Sequence, residues 1–257
     1  MNITHVAAQL FTLRDYLKTP ADIADSLKKV RQLGYQAVQL SGMGPIEESE
    51  LNRILAGEGL VCCATHEDSN QILNETPRVI ERLQKLNCRF TAYPYPAGID
   101  FTTLPSVLAF AAKLDAAGRL MRKAGQVLTY HNHATELTSV EGKTALEWIY
   151  EKTRRQNLQG EIDTFWIQNG GGNPVAWCKR LKRRLPLIHL KDYTVIDNKP
   201  SFAPVGHGNL DMPGIVKAAE AAGCEWYIVE QDNCYGANPF EALGKSFRYL
   251  ETLAAPT

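Results

Sequence analysis

The chain has 257 residues, 44% hydrophobic and 22% charged, which is enough apolar material for a sizeable core and excludes a disordered chain. Lys plus Arg and Asp plus Glu both number 28, so the formal charge is zero and no basic footprint invites a nucleic acid. The N-terminal residues lack the basic and apolar regions of a signal peptide, and no run approaches the roughly 20 apolar residues of a membrane span. The expectation is a cytoplasmic protein with a small-molecule partner and no membrane contact, with a homo-oligomer left open.

Strand-like runs and helix-like stretches alternate along the chain. "VAAQLFTL" (6–13) reads as the first strand. Thr19-Pro20 then opens a helix with Ile23, Leu27 and Val30 at helical spacing and Gly34 placed to end it. "YQAVQLSG" (35–42) and "VCCATHED" (61–68) follow as strands. Cys62 and Cys63 point to opposite faces of such a strand, and none of the six cysteines forms C-x-x-C, so they read as reduced thiols. Thr76-Pro77 is placed to cap a helix carrying Ile80, Leu83 and Leu86. "RFTAYPYP" (89–96) and "QVLTYHNH" (126–133) are the fourth and fifth strands, and Thr144 with Glu147 has capping-box spacing. "LQGEIDTF" (158–165), "PLIHLKDY" (186–193) and "EWYIVEQD" (225–232) complete eight. Asn173-Pro174 opens one further helix, and Asn238-Pro239, with Glu241 at capping-box spacing, opens another; "KRLKRR" (179–184) fits the charged end of a helix.

Eight strands and eight helices at about 32 residues per unit predict an α/β protein, a (β/α)8 TIM barrel forming a single domain over 1–257. A doubly wound sheet is the structural rival, but neither a dinucleotide fingerprint nor a P-loop is present.

Barrel chemistry gathers at the C-terminal strand ends. Those ends carry Gln9, Gln39, His66 with Glu67, Tyr93 with Tyr95, His131 with His133, Asp163, His189 with Lys191, and Glu230 with Asp232. Residues i and i+2 of a strand share a face, so His131 and His133, His189 and Lys191, and Glu230 and Asp232 should each point the same way. A single buried histidine ordinarily bonds a backbone carbonyl, and a single strand-end Asp ordinarily caps a helix. Four such residues at equivalent points of a repeat, His131, Asp163, His189 and Glu230, instead suit one divalent ion with positions left for substrate. Lys191 and Asp232 read equally well as an ion pair or as substrate contacts.

At these residues the chain resembles the sugar phosphate isomerase/epimerase-like TIM barrels, the xylose isomerase-like or AP endonuclease family 2 fold. The resemblance rests on "YHNHATEL" (130–137), residues 161–193, "VGHGNLDMPGIVKAAEAAG" (205–223) and "EWYIVEQD". It implies metal ligands at Asp163, His189 and Glu230, with His131 at the fourth position. Sugar epimerases of this fold usually carry Glu there, as half of a Glu–Glu proton-transfer pair. Trp166 replaces a histidine found in many relatives and offers a stacking platform; His207 stands where relatives often have a polar residue.

The expected function is a metal-dependent sugar or keto-sugar isomerase or epimerase working through a metal-bound enediolate, with Mn2+, Zn2+, Co2+ or Mg2+ as the ion. His133, Glu230 and Lys191 are the expected catalytic groups, and His66, Tyr93, Glu136, Trp166, His207 and Asp232 the expected substrate contacts. A lyase or dehydratase on a keto-sugar or inosose, including 3-keto-glycoside cleavage, is the alternative. Less favoured are DNA repair, against which the zero net charge argues, and sugar binding without catalysis.

Overall fold

A computed structural model, which describes residues 1–254, closes eight parallel strands into a barrel. They are β1 (Val6–Gln9), β2 (Ala37–Leu40), β3 (Val61–His66), β4 (Phe90–Tyr93), β5 (Val127–His131), β6 (Leu158–Asp163), β7 (Leu187–Leu190) and β8 (Trp226–Val229). Each strand pairs with its sequence neighbours, and β8 returns to β1 with Val6 opposite Tyr227.

The strands lie where the apolar runs place them but end sooner. Gln9 ends β1 because its side chain accepts the Phe11 N–H and turns the backbone into a 3-10 run, Leu10–Tyr16. His133, Lys191, Glu230 and Asp232 sit in loops just past their strands.

Ten α-helices occur among the described residues, rather than eight: α1 (Pro20–Gln32), α2 (Glu48–Glu58), α3 (Ser69–Asn74), α4 (Thr76–Lys85), α5 (Leu104–Lys123), α6 (Ala145–Lys152), α7 (Thr164–Asn169), α8 (Pro174–Arg180), α9 (Met212–Ala222) and α10 (Pro239–Ala254). The short α3 and α7 are additions within strand-to-helix connections. Capping boxes form at Thr19 with Asp22 and at Thr144 with Glu147, and Asn173 caps α8 through the Ala176 N–H. Asn238 accepts the Phe240 N–H at the start of α10. Thr76 departs from expectation: it already lies inside α4, and its hydroxyl donates to the Ile72 carbonyl instead of capping. Gly34 closes α1 at φ +110°, where a Cβ would stand 2.3 Å from the Phe247 ring.

The main core lies between barrel and helices, with Tyr35, Phe110, Tyr130 and Leu250 among its buried members. A smaller apolar cluster of Ala7, Ala37, Cys63, Ala64, Phe90, Leu187 and Ile228 plugs the lower lumen. All six cysteines are free thiols. No helix among the described residues is long and apolar enough to cross a membrane.

Candidate active site

Period-two alternation sets the layers of the lumen. Ala7, Ala37, Leu187 and Ile228 belong to the apolar plug. Two residues later come Gln9, Gln39, His189 and Glu230, and two beyond the last pair come Lys191 and Asp232. Neighbouring strands add His131, Glu161 and Asp163, so a polar layer sits directly on the plug.

That layer is tightly connected. His189 is fully buried, with Nδ1 2.9 Å from Glu230 Oε2 and Nε2 2.6 Å from Gln39 Oε1. The Lys191 ammonium lies 2.7 Å from Glu230, 2.9 Å from Asp163 Oδ2 and 3.1 Å from both Asp232 oxygens. Lys191 and Asp232 are thus paired, but within a cluster of three carboxylates. His131 Nε2 is 3.9 Å from Asp163 Oδ2, and its Nδ1 is 4.0 Å from Glu161 Oε2. Asp163 does two jobs: Oδ1 caps α7 through the Trp166 N–H at 2.9 Å, while Oδ2 faces the cluster. Donor atoms of His131, Asp163, His189 and Glu230 all fall within 4.8 Å of one another.

Burial and charge divide the protonation states. Burial, with His189 and His133 adding to it, holds His131 well below the usual imidazole range, so it is neutral with a lone pair to offer. Burial would lower His189 too, but Glu161 and Glu230 outweigh it and raise it to about 10. Burial works against Glu161 and Glu230 as anions, yet His189 and His66 hold Glu161 down at about 2, and Lys191 with His189 holds Glu230 well below its ordinary value. Burial raises Asp163, and it raises Asp232 to about 6.

The donor set fits a divalent cation. Four carboxylates, Glu161, Asp163, Glu230 and Asp232, face two cations, Lys191 and His189. Asp163 and Asp232 are raised chiefly by burial, with Glu230 adding to the effect and Lys191 opposing it. His131 Nδ1 and Asp163 Oδ2 are buried without hydrogen-bond partners, the latter being close to Lys191 but not aligned for one. Imidazole plus carboxylate suits Mn2+, Zn2+ or Co2+.

Above the cluster opens a cavity of about 250 Å³, lined by Phe11, Ser41, His66, Pro94, Tyr95, His131, His133, Lys191, Glu230 and Asp232. Ser41 and His66 also line an adjoining cavity of about 580 Å³ between the β2 and β3 connections. His66 Nε2 pairs with Glu161 at 2.8 Å. Trp166 stands 5.4 Å from the His133 ring, with its indole N–H buried and unpartnered. His133 packs edge-on against His131 and Tyr95, and among the described residues no group hydrogen-bonds to its imidazole. Burial, with Lys191 next in effect, lowers it to about 3 and keeps it unprotonated near neutrality.

Three expected substrate contacts lie elsewhere. Tyr93 is buried, stacks on Tyr130 and meets Phe110 edge-on; it faces outward to α5, and Tyr95 takes the place at the pocket. Glu136 is turned inward, where its carboxylate accepts the Tyr130 hydroxyl at 2.8 Å and the His133 N–H at 2.9 Å. Burial raises it to about 7. His207 is exposed, and its loop is shaped by Asp192. The buried Asp192 carboxylate accepts the backbone N–H groups of Tyr193, Gly206, Gly208 and Leu210 at 2.8, 2.9, 3.0 and 3.2 Å.

Glu161 is the principal residue that strand-end reasoning passed over. It lies two positions before Asp163 and so shares its face, a signal present in the alternation itself. Gln9 and Gln39 stood at recognised strand ends but carried no assigned role.

Comparison with known proteins agrees with the barrel fold. The model of the xylose isomerase-like TIM barrel family matches residues 27–253. An inosose dehydratase of Clostridium beijerinckii is 27% identical over 156 residues, covering 54% of this chain and 51% of that enzyme, so the match spans about half its length. A sugar phosphate isomerase/epimerase from Parabacteroides distasonis superposes with TM-score 0.82 at 20% identity, over 96% of this chain and 97% of that one. A xylose isomerase-like TIM barrel protein from Mycobacterium smegmatis in complex with magnesium superposes with TM-score 0.75 at 14% identity, over 99% and 98%.

Proposed function

The chain belongs to the xylose isomerase-like TIM barrel family, and on that footing we propose that it is a divalent-metal-dependent enzyme that enolises a small keto-sugar or keto-polyol. The observation that carries the reading is the convergence of His131, Asp163, His189 and Glu230 beneath a pocket whose wall presents the unpartnered His133. These four residues would hold the ion. When bound, it polarises a substrate carbonyl and acidifies the adjacent C–H.

The chain's own groups then divide the work. His133 has a free lone pair near neutral pH and takes the proton from carbon. Burial makes that ring a weak base, so the C–H acidity supplied by the ion would carry the larger share of the step. The Lys191 ammonium, held charged by Asp163, Glu230 and Asp232 despite burial, offsets negative charge on substrate oxygens. The Trp166 ring forms an apolar wall beside His133 on which a sugar face can stack.

Glu230 and Asp232 are bound into the Lys191 cluster, whereas His133 is unengaged. One free acid/base favours proton transfer on a single face, hence isomerisation, over inversion at one carbon by two opposed groups. Loss of a β-hydroxyl from the same intermediate is the second reading, favoured by the identity with an inosose dehydratase.

The test is a panel of keto-sugars and inososes incubated with Mn2+-loaded protein in D2O and followed by NMR. Isomerisation with deuterium entering one face is the expected result, and an enone with release of water would select the second reading. Clean inversion at a single carbon would refute the one-base assignment. Metal-free protein that takes up no Mn2+, Zn2+ or Co2+ would refute the metal-dependent reading altogether.

A further inference from the structure

We infer that Glu161 and Gln39 are positioning residues that dictate which nitrogen of His189 faces the ion. The inference rests on the metal-dependent reading above and turns on hydrogen-bond polarity.

A carboxylate can only accept hydrogen bonds. Glu161 Oε1 lies 2.7 Å from one end of the Gln39 amide, so that end is the NH2. The other end is therefore the carbonyl oxygen, and it stands 2.6 Å from His189 Nε2. An oxygen at that distance requires a donor opposite it, so Nε2 carries a proton. Gln9 reinforces the polarity by donating its own NH2 to the same Gln39 oxygen at 2.8 Å. Nδ1, directed at Glu230 Oε2 (2.9 Å) and Asp163 Oδ2 (3.8 Å), also carries a proton while His189 is a cation. Because the Gln39 oxygen holds the Nε2 proton in place, Nδ1 is the nitrogen that would give up its proton and offer its lone pair to the ion. Glu161 is itself held by His66 Nε2 at 2.8 Å, so the chain of polarity is anchored at its far end. All of these side chains except His66 are buried, which shields the chain of hydrogen bonds from bulk solvent.

The same residues admit a rival arrangement. Donor atoms of His66, His131, Glu161 and His189 also lie within 4.8 Å of one another, and His131 Nδ1 is unpartnered toward Glu161. A second ion there would need the lone pair of His189 on Nε2. The Gln39 oxygen at 2.6 Å opposes that, so the geometry favours one ion with a tautomer-setting carboxylate beneath it.

The experiment compares wild type with Glu161→Gln and Gln39→Met. Zn2+ affinity is read by competition with a chromophoric chelator, stoichiometry by elemental analysis, and imidazole protonation by 15N–1H correlation spectra of the zinc-loaded protein. A thermal melt of each metal-free protein checks folding. A glutamine at 161 can donate, which frees the Gln39 amide to flip; a methionine at 39 severs the link and leaves the Glu161–His66 pair in place. The expected result is one equivalent of Zn2+ in wild type with His189 protonated at Nε2. Both variants should then bind Zn2+ roughly 10–100-fold more weakly, with that N–H signal lost or split. If one variant fails to fold, the other carries the test. Wild type that binds no Zn2+ would refute the metal reading itself. Wild type that binds one equivalent, with folded variants matching it in affinity and N–H signal, would overturn the positioning role alone. A second equivalent in wild type that disappears in Glu161→Gln would overturn it in favour of the two-ion arrangement.

Discussion

Glu136 should make the protein less stable as pH rises through the weakly acidic range. Its carboxyl is fully buried, and burial lifts its pKa from the ordinary 4.5 to about 7. Below pH 4.5 folded and unfolded chains both hold the proton, and the group has no effect. Between 4.5 and 7 the unfolded chain gives up the proton while the fold retains it, so stability falls. Above 7 both are ionised and the loss is complete. A tenfold difference in proton affinity corresponds to about 1.4 kcal/mol, so the whole loss is about 3 kcal/mol. Glu136→Gln cannot titrate. Its amide oxygen can still accept the His133 N–H, and its NH2 can donate to the Tyr130 oxygen, so the pH-independent cost is about 1 kcal/mol. Urea unfolding of the metal-free proteins, followed by circular dichroism from about pH 5 to 8, isolates the effect, since every other titration is common to both. The variant should gain on wild type steadily across that range, by up to about 3 kcal/mol. Parallel stability curves would show that burial does not perturb this carboxyl.

Lys191→Met should leave the buried Asp163 and Glu230 and the half-buried Asp232 without their shared cation, lowering metal-free stability by about 3–5 kcal/mol; added Mn2+ should recover part of it, and an unchanged melting temperature would refute the role given to the ammonium. His133→Ala should bind metal normally in elemental analysis yet lose about 10²–10⁴-fold in turnover on whichever substrate the panel identifies; full activity removes it from the mechanism. Gly118→Ala should cost about 2 kcal/mol or more in chemical denaturation, because the new methyl would stand 1.8 Å from the Asn157 carbonyl oxygen, a backbone atom with little room to retreat. An unchanged denaturation midpoint would show that the two segments can part at little cost.

The barrel was legible in the sequence because each buried parallel strand is a short apolar run set between helix caps. Boundaries were less so. Nothing in "VAAQLFTL" reveals that Gln9 will fold its amide back onto the Phe11 N–H and end the strand. The cluster of His131, Asp163, His189, Glu230, Lys191 and Asp232 was legible because those residues sit at one phase of the repeat. Glu161 escaped because it lies one layer below the strand ends, where the chemistry continues. Tyr93 and Glu136 show the opposite limit. Both are polar residues near the mouth, and only the direction of the side chain, set by pleat for Tyr93 and by a local turn for Glu136, separates packing from pocket. His207 was out of reach for a third reason, since its loop is drawn toward an acceptor, Asp192, that lies fifteen positions earlier in the chain.

Asp192 gives the molecule a division between what is written in side chains and what is written in the main chain. The four N–H groups it gathers belong to Tyr193, Gly206, Gly208 and Leu210, and a main-chain donor is the same whatever residue carries it. His207 can therefore change freely while the loop keeps its path. The two flanking glycines cannot: Gly206 has φ +83°, and a Cβ on it would meet the Tyr249 ring at 2.1 Å, while one on Gly208 would meet the Asp192 carboxylate at 2.4 Å. Since Asp192 is joined by one peptide bond to Lys191, the anchored loop and the buried ammonium share a single fixed point. Variation on the outside of this loop is thereby uncoupled from the chemistry, whereas a change at its anchor would propagate directly into the pocket.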